Sequence, residues 1–388
     1  LVSIGVLARS PPARARRLAA VAALGFVLWN ALAFLLAGPD RRGFYGEPGM
    51  RQGLWAMALS AVAWWLGSRA FAGTQERRAL LRAAKVATGA VALLALWGVV
   101  SGTLPTSGLF EGRATATLGQ PNSLGAFLGT GVPLATALAF VASDRRERLL
   151  AALAAVLALA GILASGSRGA LLGLAVAAVV GAVALRGRLR VDARVLRRGA
   201  VAVAAATALL LAIPAVRDVV GATLLRATSI AADARGGSVT EHLDLWTVAA
   251  HVIADHPLVG IGHERFPEAF AAYRDRVLSP ERAAAYVERR AESPHDVLLA
   301  IAVAAGLPAL ALYLALVGVG LAGLLRGRRG DPDPVALPVA VALGLALVVH
   351  LVTDLFMTAD LASMWFGWLL LGAGAASAGA PAGPVDRP

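Results

Sequence analysis

Ten apolar runs, most of them free of formal charge, divide the chain: 18–37, 52–72, 86–104, 121–143, 149–165, 169–185, 199–214, 294–325, 335–356 and 361–376. A helix of about 18 residues rises about 27 Å, close to the thickness of a bilayer's hydrocarbon core. Runs of this length therefore predict transmembrane helices. Apolar residues make up 58% of the sequence and charged residues only 15%, whereas a soluble domain is rarely more than about half apolar. The expected fold class is all-α: a polytopic bundle of about ten spans. The runs 149–165 and 169–185, separated only by Gly166, Ser167 and Arg168, predict a tight helical hairpin.

Arginine and lysine give the bundle an orientation. Segments 9–17, 73–85, 144–148, 186–198 and 326–334 carry 4, 4, 3, 6 and 3 of them; segments 38–51, 105–120 and 165–169 carry 3, 1 and 1. The positive-inside rule places the richer set in the cytoplasm. Parity then places 215–293 outside as one large loop, flanked by the spans of 1–214 and 294–388. The net charge of +12 thus reflects topology rather than nucleic-acid binding. The apolar octet that opens the chain is too short to span. It reads as the end of a further span, so a longer protein is expected.

The loop has helix punctuation. Ser238 and Glu241 form a capping-box pattern, Pro257 stops that helix, Gly260 and Gly262 mark a turn, and Pro267 starts a second helix. Ser279–Pro280 and Ser293–Pro294 read as cap-plus-first-residue pairs, the last opening the span 294–325.

Chemistry concentrates at three span ends on the same side. Gln120-Pro121-Asn122, with Arg113 before it, opens 121–143. Ser167-Arg168-Gly169 opens 169–185. Ser293-Pro294-His295-Asp296 opens 294–325. Helix N-termini present free N–H groups that suit a phosphate. Each cluster also has a plainer reading. Asn122 caps a helix, Arg168 snorkels to headgroups, and His295 is a half-exposed first-turn residue; Trp246 reads as core of the loop helix. The parity argument favours one shared cavity under the loop. His350 and Asp354, four apart near the outer end of their span, are secondary candidates. Asp331-Pro332-Asp333, the one Asp-x-Asp pattern, reads as a solvated turn. The absence of cysteine excludes thiol chemistry and cysteine-ligated zinc. A transporter for lipid-linked glycan would call for midplane charges and an internal repeat, and neither is evident.

The runs GRATATLGQPNSLGAFL (112–128), ASGSRGALLGL (164–174), LWTVAAHVIADHPLVGIGHERF (245–266) and SPHDVLLAIAVAAGLPAL (293–310), in this order, resemble the signature segments of the O-antigen ligase and polymerase superfamily. That resemblance implies a GT-C-like, inverting, metal-independent glycosyltransferase of the bacterial inner membrane, with about twelve spans and no cofactor. Its donor would be a glycan on undecaprenyl pyrophosphate. Its acceptor would be a hydroxyl of lipid A–core (ligases), of a second lipid-linked glycan (polymerases) or of a protein. Arg168 matches the family's arginine in the Ser-Arg-Gly turn, and His295 its catalytic histidine. Arg113, Asn122, Arg235, His242, Asp296 and Asp354 are the expected substrate-binding residues, and no metal site is expected. The pattern departs in three places. Asp296 stands where an amide or hydroxyl residue is usual, Ala309 ends the Gly306 motif, and His242 occupies the place of an arginine four residues before Trp246, with Arg235 the nearest upstream arginine. An inactive, glycan-binding homologue is the reading these departures keep open.

In the mechanism this implies, Arg168 neutralises the departing pyrophosphate by forked hydrogen bonds, with Arg235 or Arg113. His295 takes or orients the acceptor's proton. The helix N-terminus lowers its pKa, and a close Asp296 raises it.

Overall fold

A computed structural model describes residues 12–48, 52–71, 73–102, 109–110, 113–186, 208, 212–228, 238–288, 291–326, 335–358 and 361–378. The elements are helices α1 (Pro12–Leu36), α2 (Arg41–Tyr45), α3 (Leu54–Ala70) and α4 (Thr74–Ser101), strands β1 (Leu109–Phe110) and β2 (Arg113–Ala114), a 3₁₀ turn (Ala116–Leu118), and helices α5 (Pro121–Val141), α6 (Arg145–Ser165), α7 (Arg168–Leu185), α8 (Pro214–Thr228), α9 (Ser238–Asp255), α10 (Phe266–Val277), α11 (Pro280–Ala284), α12 (Val297–Arg326), α13 (Ala336–Asp354) and α14 (Leu361–Ala378). β1 and β2 pair antiparallel, Leu109 opposite Ala114.

The protein is an all-α, multi-pass membrane protein. Among the described residues, seven helices are long and apolar enough to cross a bilayer. They coincide with seven of the expected spans. Two more runs form the apolar helices α3 and α14; most of the tenth, 199–214, lies outside the described residues. The apolar runs understate the helices. α4 begins at Thr74, well before the run at 86, because its charged first turns are also helix formers. Arg77 there is buried and donates to the Phe71 carbonyl at 2.8 Å.

Clustering of contacts divides the chain into two units. One comprises 1–69, 229–320 and 354–379; the other 70–228, 321–353 and 380–388.

In the first unit, α1 shows the pattern of a lipid-facing helix. Val21, Leu24, Leu28 and Leu35 are exposed, while Ala19, Ala22, Phe26 and Ala33 are buried. Phe26 sits 5.1 Å from Trp368 of α14 and 6.2 Å from Tyr313 of α12, centroid to centroid. Such aromatic pairs contribute about 0.5–1.5 kcal/mol each beyond their burial. The loop helices share a second core of Leu245, Val248, Val252, Phe266, Phe270 and Tyr286, against which Val303 of α12 also packs.

The two are joined at a break in α12. Gly306 has φ 79°, ψ 176°, and Pro308 has no N–H for the Ala304 carbonyl. The lost helical bonds are replaced one for one. Ile261 N–H donates to the Val303 carbonyl (2.8 Å), Gly262 N–H to that of Ala304 (3.0 Å), and the Trp29 indole of α1 to that of Ala305 (2.9 Å); the Leu307 N–H turns to the Pro257 carbonyl (2.8 Å). The expected turn at Gly260 and Gly262 is therefore the plug for this break, and both glycines have positive φ. A Cβ at Gly306 would collide with the Leu258 carbonyl.

The second unit packs α4, α5, α6 and α7 around Leu124, Leu128, Ile162, Ala92 and Ala95, with α8 against the same core through Val216 and Val220. Its helices approach closely at small residues, as in most membrane bundles.

Gly306→Ala is expected to destabilise the protein by about 3 kcal/mol, from the left-handed backbone and the clash together. Trp29→Phe keeps the ring and removes one donor, at a cost of about 1–2 kcal/mol. Thermal unfolding in detergent measures both; a Gly306→Ala protein as stable as the parent contradicts the account of the break.

Candidate functional site

In the second unit the first two expected clusters meet. α6 ends at Gly166, whose φ of 62° lets its N–H reach the carbonyls of Ile162 and Leu163, both at 3.1 Å. Ser167 follows as the cap of α7, its hydroxyl accepting from Ala170 N–H at 3.4 Å, so Arg168 is the first helical residue. Gly125 of α5 lies against Ser167 so closely that no side chain fits there. Arg113 on β2 staples the arrangement. Its Nε donates to the Ser165 carbonyl (2.7 Å) and its Nη2 to Asn122 Oδ1 (2.9 Å).

That pairing decides the question about Asn122. The cap position of α5 is Gln120, whose side chain makes no capping bond and accepts instead from Ser123 Oγ at 3.2 Å. Asn122 lies one turn-step inside the helix and holds Arg113. The N-termini of α5 and α7 and the guanidinium group of Arg113 thus occupy one region, beside the C-terminus of α6, whose Ser165 carbonyl Arg113 engages, and Arg168 is the first residue of α7 there. Dipoles and charges there favour an anion.

The first unit holds the third cluster. The helix begins at Val297, three residues later than the Ser293–Pro294 pair suggests. Asp296 outcompetes Ser293 as the cap: its Oδ1 accepts from the N–H of both Leu298 (2.8 Å) and Leu299 (3.0 Å). Ser293, set free, pairs its hydroxyl with Thr358 Oγ1 (2.7 Å) and accepts from His295 N–H (3.1 Å). Between them His295 takes φ 52°, a left-handed conformation rare for a non-glycine residue. Residues held so are stored strain, and such strain gathers at functional sites.

The half-buried His295 ring faces His242 of α9, with centroids 5.5 Å apart and planes at 66°. His242 meets Trp246 edge-on at 6.1 Å, and Trp246 meets Phe356 at 6.2 Å. Burial, then the neighbouring charge of His242, pushes the His295 pKa down to about 4. Burial raises the Asp296 carboxyl against the two backbone N–H bonds and His242, which lower it. Asp354 is 2% exposed at the end of α13; Tyr313 lies within electrostatic reach of Asp354 and Asp296. His350, in the other unit, is buried as well. Arg235 and the Asp331–Asp333 turn lie outside the described residues.

Two features had no local signal in the sequence. The Trp246 indole N–H is buried and has no hydrogen-bond partner among the described residues, though the residue reads simply as loop core. His263, 4% exposed, donates to the Asn30 carbonyl, and burial pushes its pKa down to about 4. It belongs to the same turn that plugs the α12 break.

Residues 153–314 match the family model described as O-Antigen ligase. No curated protein matches the chain. The matched segment contains the Ser167–Arg168 turn, all of α9 to α11, and the His295–Asp296 head of α12; Arg113, Asn122 and Asp354 fall outside it. The match covers less than half of the chain, so what it shows is that the segment 153–314, within a protein of at least seven apolar spans, is similar to the O-antigen ligase family.

Proposed function

We propose that this protein is a membrane glycosyltransferase of the ligase type, which moves a glycan from undecaprenyl pyrophosphate to an acceptor hydroxyl on the outer face of the bacterial inner membrane. The observation that carries the reading is His295: a half-buried imidazole, kept neutral to about pH 4, fixed by a left-handed backbone at the head of a membrane helix. A base with that setting takes a proton from a hydroxyl and returns it to water.

In this mechanism the acceptor oxygen attacks the anomeric carbon while its proton passes to His295. The bond from that carbon to the pyrophosphate oxygen breaks with inversion, and the electron pair leaves on the pyrophosphate. Arg168, with Arg113 held by Asn122 and the Ser165 carbonyl, neutralises the growing charge through directed N–H donors. No metal is required for that role. Asp296 acts as the helix cap that fixes His295, and His242, Trp246 and Asp354 line the acceptor side. The charge count by segment supports placing 215–293 outside.

The assay pairs purified protein in lipid with an undecaprenyl-pyrophosphate oligosaccharide and lipid A–core acceptor. Arg168→Lys is expected to fail nearly as badly as Arg168→Ala, about a hundredfold to a thousandfold, because lysine keeps the charge and loses the planar fork. His295→Ala is expected to lose about 10²–10⁴ in kcat. EDTA is expected to leave the rate unchanged. Full activity in Arg168→Lys reduces it to a point charge; full activity in His295→Ala removes it as the base.

The pH profile follows from the direction of the His295 shift. A base held down to about 4 keeps its neutral form as pH falls through the ordinary 6.5, so the acid limb of kcat/KM lies near 4. Stability obeys the same sign. His263 and His295 take protons near 6.5 when unfolded and only near 4 when folded, so their contribution is whole above 6.5 and falls away as pH drops towards 4. An acid limb near 6.5 contradicts this setting of the base.

Cysteines at the exposed positions Arg146 and Glu281 are expected to label with an impermeant maleimide from opposite sides, Glu281→Cys from outside. Labelling of both from one side overturns the topology.

A further inference from the structure

We propose that His242 is a positioning residue for His295, its ring setting both the orientation of that imidazole and the electrostatic environment on its far side. This rests on the reading of His295 as the base.

The geometry is specific. The two rings stand 5.5 Å apart at 66°, and no backbone element separates them. His295 is pinned from its own side by Ser293 and by its left-handed backbone. On the far side, His242 is braced edge-on by Trp246, which packs on Phe356. The ring of His242 is thus the wall that sets which way the His295 ring points.

The same contact couples their charges. Burial first, and then the neighbouring charge of His242, lower the affinity of His295 for protons. Other charged groups among the described residues bear on the pair or its neighbours. From the head of α12 comes Asp296, whose carboxylate feels His242. From the end of α13 comes Asp354, which bears on Tyr313 together with Asp296. On α9 itself, Glu241 bears electrostatically on Tyr286, and Asp244 accepts that residue's hydroxyl proton at 3.2 Å and pairs with Arg282. Trp246 and Phe356 contribute no charge.

The test is a titration of the full chain in lipid nanodiscs, with histidine-selective labelling. The six histidines are assigned by single substitution. In His242→Gln, and in His242→Phe as a second uncharged ring, the His295 midpoint is expected to rise by about one unit. The acid limb of kcat/KM, measured with undecaprenyl-pyrophosphate oligosaccharide as donor, is expected to rise with it. A midpoint that stays where it is in both variants, with thermal unfolding unchanged, overturns the positioning role. A rate lowered equally at every pH, with no movement of the limb, overturns it too and leaves His242 a packing residue. A shifted midpoint in a protein that transfers no glycan supports the positioning role and rejects the transferase reading, so the two stand or fall separately.

Discussion

A helix in hydrocarbon must satisfy every backbone N–H and carbonyl from protein, because no water is there to do so. The break at Gly306 is where this chain meets that constraint most sharply. A glycine with positive φ and a proline two residues later open three carbonyls, and each finds a donor: Ile261, Gly262 and Trp29. The donors come from a turn between two loop helices and from the first membrane helix. One local irregularity thus ties α1, the loop helices and α12 into one unit. The short helical piece Val297–Ala305 is fixed at both ends, by this exchange and by the Asp296 cap, and His295 sits directly before it. The rigidity of the proposed base therefore depends on bonds made a turn or more away from it.

The basic patch of the second unit follows a different logic. Arg113 has two of its donors committed, to a helix C-terminal carbonyl and to Asn122, so it fixes geometry as much as it supplies charge. Arg168, at the first position of α7, stands where the helix dipole disfavours a cation. A position unfavourable for an arginine's own helix suits a ligand anion, since the same N–H groups that repel the side chain attract a phosphate. Part of the patch lies outside the matched segment and part inside it, yet the bond from Arg113 to the Ser165 carbonyl makes it one structure.

The spans were legible because burial in lipid needs a long apolar run, and such a run has few other uses. Helix starts were less so. Apolar runs marked where lipid contact begins, not where hydrogen bonding begins, so the charged first turns of α4 were invisible. The helix boundaries at Pro257, Pro267 and Ser279 are legible, since proline and capping serines act within a few residues. The cap at Asp296 rather than Ser293 is not legible, because Thr358, a residue distant in sequence, engages the serine. Asn122 was ambiguous for the same reason: its partner, Arg113, approaches from a strand rather than from the helix turn.

The sequence alone determined a multi-pass helical membrane protein, the identity of its spans, the helical character of its loop and the segments that resemble the O-antigen ligase family, all of which depend on composition and on neighbours a few positions apart. The tertiary structure decided what those residues touch. It showed that the Gly260–Gly262 turn fills the gap in α12, that Asp296 is a cap, that Asn122 holds Arg113, and that His242 faces His295 across 5.5 Å. Hydrogen bonds and ring contacts depend on approach to within a few ångströms, and sequence spacing sets such distances only within a single helix. Contacts between residues tens of positions apart are set by how the helices pack.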